Sequence, residues 1–462
     1  MKKYLKLTFC FLIFTTALIP MLATVIGVDS INLDKNSLAP MPELIENNRI
    51  NESFTMQFDD FFTDQFSFRT YLITKYNEIY SGVFKQSGNE NVIVGKDGFL
   101  FFEETLDDYL KINTLSENDL LRLNEVLRIQ QKYLKNIGVE SYFLVVPNKA
   151  TIYPQYMPSS IRSIGHTSNY DRIRDMDLSM NFIDLKAPLI MRSSQSETKL
   201  YHRQDSHWNN IGAAIGYDVL LEAMDKESLP LLDQQPIKKK DWQGDLARML
   251  FPAKPTMDEQ YYYPLPDQFT FTKAIRTLED LQIESVNSAK EGNLIVFRDS
   301  FANALIPFIS ESFAQVNYYR LFPYDYTKIE SLTADTLVIE IAERNLNWLL
   351  QATPVLSATT EDVFPLESTP VTMGITYQQE KKSDMFFLNA RFDDQLLAEK
   401  IIAVRLEDNG VIYEAFPIVE DSDIEDDAFE LGFSIYTENS LDVSSISVYV
   451  LMDETWHKVI RP

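Results

Sequence analysis

Cysteine is nearly missing from this chain: Cys10 is the one thiol in 462 residues. That excludes a disulfide framework, and with only four histidines no C-x-x-C or H-E-x-x-H zinc motif occurs. Glycine is also scarce, at 14 residues, and neither G-x-x-x-x-G-K-[ST] nor G-x-G-x-x-G is present. The sequence therefore offers no glycine cradle for nucleotide phosphates. Positive charge is in deficit, with 42 Lys and Arg against 68 Asp and Glu, a net charge of −26. Nucleic-acid phosphates need a basic face, so this balance argues against a nucleic-acid partner. No metal and no organic cofactor is expected. At ~100–200 residues per domain, the length calls for two or three domains.

Long hydrophobic runs are missing too, except at the start. Lys2, Lys3 and Lys6 precede an apolar run over residues 7–28. A span of ~20 apolar residues matches the bilayer core, whereas a secretory h-region has ~7–15. No A-x-A-like site follows, so residues 1–28 are expected to be an uncleaved membrane anchor, a removed signal peptide being the alternative. Lysines before the run and acids after it (Asp29, Asp34) put the N-terminus inside and the body outside. The expected location is the cell membrane, single-pass, with an extracytoplasmic body.

Residues 29–55 are polar, with Pro40 and Pro42, and read as a linker. Aromatics recur densely over 58–80, predicting a helix packed on the main domain. Strands over 92–94 and 99–102 flank Gly95-Lys96-Asp97-Gly98, a hairpin signal. An alternating pattern then runs to about residue 355. Amphipathic helices are expected over 116–137, 171–176, 210–224 and 302–313, and buried strands over 139–146, 181–185, 294–297, 316–319 and 336–341. Such alternation predicts an α/β domain over 56–355 with a mainly parallel sheet flanked by helices. Residues 351–462 hold 22 acids and 7 bases. Their short alternating runs, separated by turns such as Asp408-Asn409-Gly410, predict an acidic antiparallel β-sandwich over 360–462, with carbohydrate binding as its candidate role.

Two stretches carry chemistry. In Asp205-Ser206-His207-Trp208, an extended backbone would point residues i and i+2 the same way. Asp205 could then orient the His207 imidazole and stabilise its protonated form. The plainer reading makes Asp205 a cap for the helix starting near Asn209. In the run from Asn293 to Asn303, a buried strand turns through Arg298-Asp299-Ser300 into a helix. That geometry exposes a serine hydroxyl at the carboxyl end of a sheet, near the positive end of a helix. Asp and Ser are also ordinary N-caps. The conjunction matters more than either stretch, because a serine needs a base to become a nucleophile. Among the histidines, His166 lies in a polar loop, His457 in the acidic tail, and His202 lacks a carboxylate two residues away; His207 is the best candidate base.

With these residues the chain resembles the alginate O-acetyltransferase-like branch of the SGNH hydrolase superfamily, which includes bacterial proteins named for an Asp-His-His-Trp motif. Asp205-Ser206-His207-Trp208 matches that motif with Ser at its second position, and Arg298-Asp299-Ser300-Phe301 matches the Gly-Asp-Ser block. Asp and His preceding Ser is the order of this branch. Phe58 to Arg69, Val92 to Phe101, Val146-Pro147-Asn148-Lys149, Gly244-Asp245-Leu246 and Glu343-Arg344-Asn345 are similar as well, so the likeness covers roughly residues 46–350. The resemblance implies an SGNH-like acyltransferase domain that moves acetyl groups onto a cell-envelope or secreted polysaccharide. A membrane-bound O-acyltransferase would be its donor. Ser300 would be the nucleophile, His207 the base and Asp205 its orienting partner. Arg298 departs from the family glycine and would cover the site or bind an anion. Asn148 and Gly244 are candidate oxyanion donors. An acetylesterase on the same residues, or a non-catalytic polysaccharide-binding scaffold, are the alternatives.

Overall fold

Two nearly continuous apolar runs, Glu140–Val146 and Thr336–Ala342, lie side by side in the centre of a seven-stranded sheet. This computed structural model describes residues 39–46, 49–65, 67–364, 368–421 and 429–462, with scattered positions between 4 and 23. The sheet order is Asn181–Asp184, Glu140–Val146, Thr336–Ala342, Asn293–Phe297, Gln315–Tyr319, Gln282–Val286, Thr270–Phe271. The first five strands are mutually parallel, and the last two add antiparallel at one edge. Burial on both faces suits such residues to the middle of a helix-covered sheet. One face packs on the helix Asn210–Ala223, the other on Glu117–Asn136. The latter starts at a capping box in which Ser116 and Asp119 satisfy each other's backbone N–H groups.

Several expectations are met closely. Val92–Val94 pairs with Leu100–Phe102, and the turn residues Asp97 and Gly98 both take positive φ, 53° and 78°. Others are corrected. The aromatic stretch over 58–80 is two helices, Phe54–Gln65 and Arg69–Ile79, with Phe68 between them in the left-handed region at φ 66°. The helix expected over 302–313 is a 3₁₀ turn, Phe301–Ala304, followed by the short helix Ile306–Ser310. Pro307 has no N–H to bond back across that junction, so the helix starts afresh. The linker region contains a small hairpin, Ile45–Glu46 with Arg49–Ile50.

The C-terminal strands form one continuous, mainly antiparallel nine-stranded sheet rather than two stacked sheets. Val411–Asp421 is the reason: its first half pairs with Ala403–Asp408 and its second half with Phe429–Thr437. The sheet curls around an apolar core that includes Leu388, Val404, Phe433 and Val450. It meets the α/β domain through charge. Arg128, Lys132 and Arg405 converge on the fully buried Glu414 carboxylate, and Arg122 donates to the carbonyls of Ala398, Glu399 and Ile401.

Among the described residues, no helix is long and apolar enough to cross a membrane. The expected anchor over residues 1–28 lies largely outside the described residues, as do residues 422–428.

Candidate active site

Ser300 sits where the strand Asn293–Phe297 ends, at the carboxyl edge of the parallel sheet. Asp299 fixes that turn. Its Oδ1 accepts the Phe301 N–H at 2.8 Å, while Oδ2 accepts the Ala342 N–H at 2.8 Å and the Asn345 amide at 3.0 Å. The turn is thus clamped to the end of the adjacent strand. From below, Glu340 accepts the Asp299 N–H at 2.9 Å, and burial pushes its own carboxyl well above the ordinary range. Because Phe301 N–H is spent on Asp299 and the 3₁₀ turn is only four residues long, the helix-end stabilisation expected beside Ser300 is reduced.

The second stretch is a tight loop and not the extended segment expected. Tyr201 bridges Trp208, and the residues between them bend back. Asp205 still reaches His207, because its Oδ1 accepts both the His207 backbone N–H at 2.9 Å and Nδ1 at 2.6 Å. The other edge of the ring points at the serine, with Nε2 to Ser300 Oγ 2.7 Å. Three residues singled out from the sequence are therefore brought into one Asp–His–Ser hydrogen-bond chain. The plainer reading of Asp205 fails, since Asn209 caps the following helix by accepting the Ile211 and Gly212 N–H groups. Trp208 anchors the loop to the serine turn, its indole donating to the Phe301 carbonyl at 2.9 Å.

Electrostatics favour a charged Asp205 beside a basic His207. Burial pulls the imidazole pKa down, but the Asp205 carboxylate, with Asp245 behind it, overcomes this and raises it above 6.5. Asp205 is held well below the ordinary carboxylate range despite its burial, chiefly by His207. Its oxygens are saturated with donors: Oδ2 accepts Trp242 Nε1 at 2.9 Å and the Asp245 N–H at 3.1 Å. Ser206 bridges His207 Nδ1 (3.1 Å) and Asp245 Oδ2 (2.5 Å). Asp205, His207 and Asp245 also place three ligand-type atoms within 4.8 Å, but a cation there would have to displace the donors on Asp205.

The remaining predicted residues take supporting positions. The Arg298 side chain is buried, and its guanidinium is held by the carbonyls of Leu278, Asp280 and Asp299 and by Asn303 Oδ1 at 2.6 Å. It ties the 278–280 segment to the serine turn and does not present a free anion site. The Asn148 amide donates to Asp108 at 2.8 Å, and its backbone N–H to Glu343 at 2.8 Å, so both donors are committed away from Ser300. Gly244 matters through contact: a Cβ there would lie 2.1 Å from the Gln204 carbonyl oxygen. Only glycine lets the Trp242–Asp245 turn lie against the Asp205 loop. Sequence reasoning missed Lys149, whose buried ammonium donates to the carbonyls of His202 (3.1 Å), Arg203 (3.3 Å) and Asp205 (2.6 Å) and whose pKa burial lowers to about 8. It also missed Trp242, Asp245 and Asn345. The short blocks Asn148-Lys149, Gly244-Asp245-Leu246 and Glu343-Arg344-Asn345 were the available signals.

Ser300 opens on two cavities. One, of about 520 Å³, is lined by His207, Trp242, Tyr262, Tyr263 and Phe308 and is largely apolar. The other, about 240 Å³, is lined by Arg320, Phe322, Arg344 and Trp348. A nucleophile between two clefts can receive a group from one side and pass it to an acceptor on the other.

Residues 92–280 match the family model for the SGNH hydrolase-like domain of the acetyltransferase AlgX. That region holds Asp205 and His207 and stops short of Ser300, which the fold supplies. The probable alginate O-acetylase AlgJ of Pseudomonas putida is 26% identical over 187 residues, covering 39% of this chain and 46% of that protein. AlgJ of Pseudomonas aeruginosa is 27% identical over 188 residues, with the same coverage of 39% and 46%. The chain thus spans about half the length of the curated relatives it matches. Among solved structures, PatB1 of Bacillus cereus is similar at 18% identity and a TM-score of 0.44, covering 55% of this chain and 96% of that one. The resemblance read from the sequence therefore holds over residues 92–280, where the chain is similar to the SGNH hydrolase-like acetyltransferase domain of AlgX and to AlgJ.

Proposed function

We propose that this protein is an extracytoplasmic O-acetyltransferase that acts on a cell-envelope or secreted polysaccharide through an acyl-enzyme on Ser300. The observation that carries this reading is the continuous chain Asp205 Oδ1, His207 Nδ1, His207 Nε2, Ser300 Oγ, at 2.6 Å and 2.7 Å. The family match over residues 92–280 supports the acetyl group, and the likeness to the probable alginate O-acetylases AlgJ supports a polysaccharide acceptor. Ser300 Oγ attacks the donor carbonyl carbon as its proton passes to His207 Nε2. The donor C–O bond breaks, and that proton leaves on the departing oxygen. An acceptor hydroxyl then gives its proton to His207 and attacks the ester carbon, and Ser300 recovers a proton as the acetyl group departs. Asp205 keeps the Nδ1–H tautomer and stabilises the transient imidazolium. Every atom is accounted for without a metal or an organic cofactor.

The lysines before residues 7–28 support a topology in which Ser300 lies outside the membrane. Acyl-coenzyme A is cytosolic, so the acetyl group would arrive through a membrane-bound O-acyltransferase. The experiment is capture of the intermediate. Purified protein incubated with p-nitrophenyl acetate should gain one acetyl group on the peptide containing Ser300, and a soluble oligosaccharide should discharge it with acetate transferred to sugar. Discharge to free acetate alone would assign an esterase instead. Absence of any adduct in a protein that retains its fold would remove the covalent reading.

A further inference from the structure

The helix Arg69–Ile79, with its π-helical continuation Tyr80–Phe84, is turned inside out. Its buried side is polar. Asn77 Nδ2 donates to the Leu250 carbonyl at 2.7 Å, and Thr74 Oγ1 accepts the Ala253 N–H at 2.9 Å. On the opposite side Phe68, Leu72, Tyr76, Ile79 and Val83 recur at helical spacing, and they are 42% to 68% exposed. A helix facing water shows the reverse arrangement. The neighbouring helix Phe54–Gln65 buries none of its residues and adds the exposed Met56 and Phe58. Exposed apolar faces of this kind mark a contact with something other than water.

We propose that this outward apolar face docks on the lipid surface of the membrane in which the N-terminal run is anchored. The proposal rests on reading residues 7–28 as a membrane segment. Ala39 is hydrogen-bonded to Asp64 and Gln65 of the helix Phe54–Gln65, and residues 29–38 that separate it from the run can span at most about 40 Å, which keeps the face within range of the bilayer. The composition suits an interface: the aromatic Phe58, Phe68 and Tyr76 stand among Met56, Leu72, Ile79 and Val83, and Lys75 extends over the Tyr71 ring at 5.7 Å with its charge at the rim. Residues 54–85 carry four acids and three bases, so apolar burial and not attraction to anionic headgroups drives the contact.

The geometry links this face to the triad. Leu250, which Asn77 holds, ends the helix Asp245–Leu250, and Asp245 at its start donates to Asp205. A helix of that length is about 9 Å long. Docking would therefore hold the candidate site roughly 20 Å from the lipid surface, the thickness of the helix Arg69–Ile79 plus that short helix, within reach of a membrane-borne acyl donor.

The test uses the full chain in phosphatidylcholine vesicles. A polarity-sensitive fluorophore is attached at Ile79→Cys in a Cys10→Ser background, and separately at Ser445→Cys, an exposed position on the C-terminal module. Vesicles doped with a doxyl-labelled lipid should quench the probe at Ile79→Cys severalfold more than the probe at Ser445→Cys. Equal, weak quenching at both positions in protein that floats with the vesicles overturns docking while leaving the anchor intact. Protein that fails to float overturns both. Neither outcome bears on acyl transfer, which is read separately.

Discussion

Trp242 gives its indole N–H to Asp205 Oδ2 at 2.9 Å, leaving Oδ1 for His207 at 2.6 Å. The same indole lies flat on His202, with ring centroids 4.9 Å apart and planes 3° from parallel. One side chain thus divides the labour of the Asp205 oxygens and fixes the carboxylate plane. Trp242→Phe keeps an aromatic ring over His202 and removes the donor. A carboxylate with one hydrogen bond fewer is more basic and raises the His207 pKa further. The acid limb of kcat/KM for p-nitrophenyl acetate should move to higher pH, and the rate on its plateau should fall by about tenfold. An unchanged pH profile would detach Trp242 from the triad.

The raised His207 pKa sets a second expectation. The base must be neutral to take the Ser300 proton, so activity is present above the imidazole pKa and is lost as pH falls through it. Because Asp205 and Asp245 hold that pKa above 6.5, the acid limb should lie above 6.5. Asp205→Asn removes the largest raising influence and leaves burial, which lowers the pKa. The limb should then move below its wild-type position, while the plateau rate drops by roughly a thousandfold or more as the tautomer is lost. A limb that does not move would separate His207 from the titration.

How far the site could be read from the sequence depended on distance along the chain. Asp205 and His207 are two residues apart, and Ser300 announces itself by a buried strand ending in Asp-Ser, so local pattern found all three. Trp242 and Asp245 contact Asp205 from 37 and 40 positions away. They flank the end of the strand Ile237–Gln243, which is almost wholly exposed and so shows no alternation to detect. Gln282–Val286 was missed for a related reason: it inserts Glu284 and Ser285 into its apolar pattern. The parallel core was legible because its strands are apolar throughout, but strand order is set by tertiary packing. Arg298 looked available because the sequence does not reveal that Leu278 and Asp280 fold over it.

Gly244 offers a test of position without chemistry. A Cβ there would lie 2.1 Å from the Gln204 carbonyl oxygen and 3.0 Å from the Asp205 nitrogen. Both contacts are to backbone, so the Asp205 loop itself must shift. Gly244→Ala should therefore lower kcat by on the order of a hundredfold, the usual scale for a displacement of about 1 Å in a reacting group. Circular dichroism should show the fold intact. If kcat is unchanged, the turn and loop are not held in register by that contact.

The C-terminal sheet should behave as part of the main domain and not as a separable module. Glu414 is fully buried at the junction, where Lys132 reaches it at 2.8 Å and Arg405 at 3.3 Å, with Arg128 on the same carboxylate and Thr359 donating at 2.6 Å. Burial alone would raise its pKa, yet Lys132, Thr359 and Arg128 pull it down to about 2 from 4.5. A carboxylate depressed on folding contributes stability that is present above the unfolded value of 4.5 and lost as pH falls towards 2. Glu414→Ala leaves Arg405 buried without one of its acids, and removing one partner of such a buried network costs about 3–5 kcal/mol. Calorimetry at neutral pH should show one cooperative transition for the wild type and a markedly lower one for the variant, with the gap narrowing in acid as the wild-type carboxyl protonates. Two independent transitions in the wild type, with only the smaller one moved by Glu414→Ala, would mean that the sheet folds on its own and that the charged junction is incidental to it.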